Sequence, residues 1–343
     1  MNPHALSVMT FSLASATTTV LASHHWMLVW IGLEINTLAI IPLMTKTHHP
    51  RAIEAATKYF LTQAAASALL LFSTTMNAWS TGEWTILYMS ETHTILLTTA
   101  IAIKLGIAPF HLWLPEVLQG LSVMTGLILS TWQKLAPMAV LVQTSPNNNL
   151  YLTLILGLSS TIMGGWGGIN QTQTRKILAY SSVAHLGWMI AVSKLSPQLS
   201  LMNFSLYVLM TSTLFITILL LNTKNMPDLT ISWPKSPPLT ALSLLSLLSL
   251  SGLPPLTGFL PKWLIAMEMI KQNLTTLILI MLLSTLLSLF FYLRLTYTLS
   301  MTLAPNTSFS PLTWMKNKKN LLSPLIILSL MLLPMTPLVT PLI

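Results

Sequence analysis

The chain has 343 residues, 53% of them hydrophobic and 7% charged, with a formal net charge of +9 and a mean hydropathy of +0.72. A soluble domain carries roughly 25% charged residues, so this chain cannot cover a globule with polar side chains, and most of its exterior must face lipid. The bases form no long run, and their densest group is Lys316, Lys318 and Lys319. That pattern excludes a nucleic-acid surface and reads as loop charge that sets membrane orientation.

A bilayer core takes about 20 apolar residues per helix. By that measure eleven spans follow one another, near 3–22, 25–44, 53–78, 92–120, 123–143, 149–170, 174–194, 198–222, 239–270, 275–299 and 321–341. The first contains no Lys or Arg, so no removable presequence is expected. The spans at 92–120 and 239–270 are too long for one straight helix, and both have prolines in their middle. Alternating ten-residue strands, the mark of a barrel, are absent from the sequence. The predicted fold class is therefore all-α, an integral membrane protein of about eleven helices forming one domain over 1–343. With eleven spans the termini lie on opposite faces. Loops on the N-terminal side then hold Lys46, Arg51, Arg175, Lys176, Lys224, Lys235, Lys316, Lys318 and Lys319, against Lys194 and Lys271 opposite. The positive-inside rule places the N-terminus on the interior side.

Five ionisable residues fall deep within spans: Glu34, Lys104, Lys134, His185 and Lys262. A charge at a helix centre costs about 2.5–3.5 kcal/mol on insertion scales, so five of them call for a reason. Snorkelling or ion pairing accounts for Glu54, Lys58 and Arg294, near span ends. For the central five the sharper reading is a hydrated relay that passes protons between side chains. A lysine beside a separable carboxylate is a switchable proton site.

The interrupted spans share a punctuation. Residues 106–116 read G-I-A-P-F-H-L-W-L-P-E and residues 252–262 read G-L-P-P-L-T-G-F-L-P-K. Without gaps, Gly106 meets Gly252, Pro109 meets Pro255, Leu114-Pro115 meets Leu260-Pro261, and Glu116 meets Lys262. Two proline-broken helices five spans apart point to an inverted repeat, whose breaks line ion paths in transporters. His111 and Glu116 fall at the first break.

Other features read as structure. G-G-W-G-G at 164–168 lies within an apolar span, and Ser160, Gly164 and Gly168 at four-residue spacing suggest close helix packing. His24-His25 and His48-His49 lie in loops and make poor metal sites. His111 and His185 alone fall short of the two histidine pairs usual in b-type haem proteins. The chain has no cysteine, which excludes disulfides, cysteine-ligated iron–sulfur clusters and thiol catalysis.

Five segments carry a resemblance: A-A-T-K-Y-F-L-T-Q-A (55–64), K-L-G-I-A-P-F-H-L-W-L-P-E-V (104–117), T-W-Q-K-L-A-P (131–137), N-Q-T-Q-T-R-K-I-L-A-Y-S-S-V-A-H-L-G-W-M (170–189) and G-L-P-P-L-T-G-F-L-P-K-W (252–263). With their order they resemble the antiporter-like subunits of the membrane arm of respiratory complex I, NADH:ubiquinone oxidoreductase. The resemblance covers essentially the whole chain and is weakest in 79–95, 143–153, 223–238 and 300–320. It implies a mitochondrially encoded protein of the mitochondrial inner membrane, with the N-terminus in the matrix and the C-terminus in the intermembrane space. It implies the short form of a fourteen-helix core, lacking the first three. By likeness, Glu34 corresponds to the glutamate of the half-channel and Lys104 to its lysine partner at the first broken helix. Lys134 corresponds to the central-axis lysine and Lys262 to the lysine of the second broken helix, while His185 falls on the same axis.

The expected function is proton translocation coupled to electron transfer from NADH to ubiquinone. NADH, FMN, iron–sulfur clusters and ubiquinone are expected on partner subunits and none in this chain. The expected partners are the other membrane-arm subunits and membrane lipids, with cardiolipin a candidate. Two rival readings are a non-pumping structural subunit of the same arm and an autonomous cation–proton antiporter. The second would want oxygen ligands for a hard cation, whereas the central groups here are mostly lysines.

Overall fold

In lipid every backbone polar group must find its partner within the chain, and this chain meets that demand with helices. The computed structural model describes residues 3–46, 48–86, 88–233, 237–301 and 323–331. The helices run α1 (Pro3–Ala22), α2 (Trp26–Met44), α3 (Pro50–Thr81), α4 (Glu91–Leu105), α5 (Trp113–Gly120), α6 (Val123–Ser130), α7 (Trp132–Gln143) and α8 (Leu150–Ile169). They continue with α9 (Thr174–Ser193), α10 (Pro197–Leu221), α11 (Met226–Thr230), α12 (Pro237–Ser251), α13 (Phe259–Lys271), α14 (Thr275–Ser300) and α15 (Ser323–Met331). Among the described residues there is no strand, only the isolated bridges His25–Thr85 and Gln173–Asn225 between loops.

Helices α1, α2, α8, α10 and α14 are each long and apolar enough to cross a membrane unaided. Helix α9 is not, for a reason visible in its packing. Nearly every residue from Ile177 to Ser193 is buried, and the helix contacts α5, α6, α8, α10, α13 and α14. It contributes Ile177, Leu186 and Trp188 to three separate apolar clusters. A helix enclosed by protein needs no lipid-facing stripe, so it tolerates Ser181, Ser182 and His185. Elsewhere large apolar side chains such as Phe11, Trp166, Leu279 and Phe290 stand exposed, as expected of a surface that meets lipid or neighbouring subunits.

Both long spans are broken where the sequence places the breaks, and in one register. Helix α4 ends at Leu105 and α12 at Ser251; α5 begins at Trp113 and α13 at Phe259, so both pairs are offset by 146 residues. Gly106 and Gly252 close the first half-helices with φ of 75° and 84°. Those are left-handed values that a side chain would oppose. The expected continuous helix over 123–143 is instead two. Thr131, at φ −113° and ψ −69°, interrupts it between α6 and α7. Of the eleventh expected span only α15 is described, and Lys235, Lys316, Lys318 and Lys319 lie outside the described residues.

The small-residue stripe of α8 packs closely, as expected, and does so against two neighbours. A Cβ on Gly164 would stand 2.7 Å from the Ala184 amide of α9, while one on Gly168 would meet the Phe291 ring of α14 at 2.7 Å. One histidine of each loop pair serves as a helix cap. His25 Nδ1 accepts from the Met27 amide at 3.2 Å, and His49 Nδ1 accepts from the Arg51 amide at 3.2 Å.

Candidate functional site

Each of the three helix breaks stands beside a lysine: Lys104 and Lys134, both buried, and Lys262, half-buried. Lys104 sits in the last turn of α4, where the helix dipole is negative and favours a cation. The carbonyls freed by this break have neutral donors: the Trp113 indole N–H donates to Ile103 O at 3.2 Å, and Gln63 Nε2 donates to Lys104 O at 3.4 Å. The Lys104 ammonium is therefore not needed as a cap. It is buried and has no hydrogen-bond partner among the described residues.

At the second break the ammonium itself is the cap. Lys262 Nζ donates to Ser251 O, the last carbonyl of α12, at 2.9 Å. A Cβ on Gly252 would lie 2.8 Å from that nitrogen, so this glycine also provides its space. The two breaks thus place a lysine at the negative end of a half-helix by different routes.

Lys104 and Lys134 share one cavity. Its walls are Leu33, Asn36 and Thr37 of α2, Tyr59 and Gln63 of α3, Leu105, Trp113 and Leu129, and Gln133 and Pro137 of α7. About 20 Å³ is open to the centres of water molecules, enough for at least one. Among the described residues both amide atoms of Asn36 join Lys104 Nζ in lacking a partner, and buried polar groups of this kind are met by water.

Lys134 Nζ donates to the Tyr207 hydroxyl at 3.0 Å and lies 5.1 Å from the centre of its ring. That hydroxyl donates in turn to Ser130 O at 3.1 Å. The break at Thr131 relieves this acceptor of its usual amide partner. In a continuous helix the Lys134 amide would bond Ser130 O, but here it bonds Thr131 O at 3.3 Å. The Tyr207 ring lies 5.9 Å from the His185 imidazole. His185 also faces the backbone of Leu250 in the last turn of α12. With Lys262, Thr161, Trp188, Ser288 and Tyr292, it lines a second cavity, which leaves about 10 Å³ for water centres. That lies at the lower limit for one molecule.

Four of the five expected residues thus follow one another through the interior: Lys104, Lys134 and His185, all buried, and Lys262, half-buried. Glu34 lies beside them. It is not among the residues lining the first cavity and makes no ion pair with Lys104 within 4 Å, although its charge acts on Lys104 and Tyr59. One of its carboxylate oxygens is buried without a partner among the described residues. Tyr207 is the member that sequence reasoning missed. It is wholly buried, but a tyrosine in an apolar span carries no charge to single it out.

The end-of-span charges behave as structural groups. Lys58 Nζ lies 2.7 Å from both Glu54 and Glu116, all substantially exposed. Arg294 Nη2 donates to Gln171 O at 2.6 Å. His111 is buried against Tyr180. Among the described residues no group of three or more His, Asp or Glu is placed to hold a metal ion.

Residues 23–288 match the family described as NADH:quinone oxidoreductase/Mrp antiporter, TM, and residues 289–340 match NADH dehydrogenase subunit 2 C-terminus. NADH-ubiquinone oxidoreductase chain 2 of Xenopus laevis is 60% identical over 342 residues, covering 98% of this chain and 99% of that one. The chain belongs to the NADH-ubiquinone oxidoreductase chain 2 family. Among solved structures, a chain of respiratory complex I from Thermus thermophilus with bound aureothin gives a TM-score of 0.87 at 25% identity. It covers 99% of this chain and 80% of that one. A chain of the Mrp complex from Dietzia sp. shares the fold, with a TM-score of 0.75 at 17% identity. The fold is accordingly the antiporter-like one.

Proposed function

We propose that this chain is a core membrane-arm subunit of respiratory complex I, in the mitochondrial inner membrane. In this reading it contributes a proton channel that couples NADH-to-ubiquinone electron transfer to pumping. The relay consists of Lys104, Lys134, His185 and Lys262, with Glu34 as the electrostatic partner of Lys104. The observation that carries this reading is the shared, water-sized cavity between Lys104 and Lys134, continued by side-chain contact toward His185 and Lys262.

Quinone reduction in a partner subunit changes the coupling between Glu34 and Lys104. A proton then moves from Lys104 through Lys134 and His185 to Lys262, loading from one face and leaving at the other. Moving one charge against 100 mV costs about 2.3 kcal/mol. Housing a lysine at a helix centre costs about the same, so making or breaking one such interaction is enough to gate a step. The separation of Glu34 from Lys104 fits one state of a switchable pair.

The chain supplies no redox centre in this reading. It has no cysteine with which to ligate a cluster, so NADH, FMN, iron–sulfur clusters and ubiquinone belong to partner subunits. Membrane lipids, cardiolipin among them, cover the apolar exterior. The single domain lies with its N-terminus in the matrix and its C-terminus in the intermembrane space.

Lys104→Met in the assembled complex tests the relay. Pumping and coupled NADH oxidation are expected to fall at least tenfold, as for loss of a positioned acid–base group, while the amount of assembled complex stays near normal. Unchanged pumping would return this chain to a scaffold role.

A further inference from the structure

The three lysines do not form a continuous line by themselves. Lys104 and Lys134 share one cavity, His185 and Lys262 the other, and no residue lines both. The phenol of Tyr207 on α10 contacts a residue of each. It touches Lys134 through its hydroxyl and its ring face, and its ring lies 5.9 Å from that of His185.

We propose that the Tyr207 hydroxyl carries the proton between the Lys104–Lys134 half of the relay and the His185–Lys262 half, and that its bond to Ser130 holds this passage closed. The proposal rests on the relay reading above. In the observed geometry the phenol oxygen accepts from Lys134 while its own proton is directed at Ser130 O. A carbonyl oxygen cannot keep that proton, so no transfer completes. Turning the O–H away from Ser130 opens the path. An N–H bond of Lys134 then breaks as a new O–H forms on Tyr207. The original O–H breaks in the same exchange, and its proton passes to a ring nitrogen of neutral His185, directly or across one water. Lys134 loses one positive charge, His185 gains it, and the phenol ends neutral.

The surroundings suit a gate of this kind. At the break the Lys134 amide bonds Thr131 O instead of Ser130 O, which leaves Ser130 O to the phenol. The break thus lies between the carbonyl that holds the hydroxyl and the lysine that donates to it. Tyr207 is itself wholly buried, and its ring stacks on Phe204 at 6.2 Å. The ring is held in place, so the mobile part is the hydroxyl hydrogen.

The test compares Tyr207→Phe, Tyr207→His and Lys134→Met in the assembled complex reconstituted into vesicles. Proton uptake and NADH:ubiquinone turnover are read per complex. Reduction of hexaammineruthenium by NADH reports the electron-input module independently. The expected result is that Tyr207→Phe, which removes one oxygen, lowers pumping and turnover per complex about tenfold or more. The ruthenium activity should be unchanged. Tyr207→His, which can still exchange a proton, should recover part of the loss. If Lys134→Met stops pumping but Tyr207→Phe leaves turnover per complex intact, the relay stands and the Tyr207 proposal is overturned. If Tyr207→Phe lowers only the amount of assembled complex, the hydroxyl is a structural brace and the proposal is again overturned. If neither variant affects pumping, the relay reading fails and this proposal with it.

Discussion

Gly252 shows how a residue without a side chain shapes the site. Its φ of 84° closes half-helix α12, and its missing Cβ leaves the space that Lys262 Nζ fills 2.8 Å away. Gly82 has a comparable φ of 75° but nothing within 4 Å of the Cβ it lacks. The two positions therefore separate backbone strain from the site. Gly82→Ala should lose only the left-handed penalty, about 1–2 kcal/mol, seen as a small loss of assembled complex. Gly252→Ala should carry that penalty and also displace Lys262 from Ser251 O, so pumping per complex should fall at least severalfold. Equal turnover per complex in both variants would show that the position of Lys262 is not critical. At this scale the charged members of the site were legible in the sequence, because a buried charge is expensive and rare. Tyr207 and Asn36 were not, because a neutral polar side chain in an apolar run usually means only packing. Their roles follow from partners 73 and 97 residues away, Lys134 for Tyr207 and, for the Asn36 carbonyl, Gln133.

Among the helices, close approach and interruption carry the design. The stripe on α8 brings the backbone of α9 against it at Gly164, where a Cβ would meet main-chain atoms of Ala184 at 2.7 and 2.9 Å. Backbone cannot move aside as a flexible side chain can. Gly164→Leu should therefore separate α8 from α9, at a cost of about 1–3 kcal/mol or more, and markedly reduce assembled complex on native gels. Full assembly would mean that α9 has more freedom than its burial implies. The breaks at 106–112 and 252–258 were legible as matched Gly and Pro punctuation. The break at Thr131 was not. No glycine or proline stands at it, Pro137 lies inside α7, and the interruption is held by tertiary bonds from Tyr207 to Ser130 and from Gln133 to Asn36.

For the molecule as a whole, orientation is the quantity that charge counting addresses most directly. The chain has no cysteine, so introduced thiols report cleanly once its band is resolved from those of its partners. A cysteine at His48, in the α2–α3 loop, should react with a membrane-impermeant reagent from the matrix side. One at Ser80, at the far end of α3, should react from the opposite side. Labelling of both positions from one side would overturn the eleven-span count. The sequence by itself determined the medium, since 7% charge means that most of the surface meets lipid or apolar protein and not water. It also determined the helical class, the two paired breaks and the cost carried by each buried charge, because these follow from local composition and spacing. Only the tertiary structure decided that Lys104 and Lys134 share a cavity, that Glu34 makes no ion pair with Lys104, and that Tyr207 meets both Lys134 and His185. Such relations depend on which faces of sequence-distant helices meet, and the periodicity within one helix carries no information about the helix packed against it.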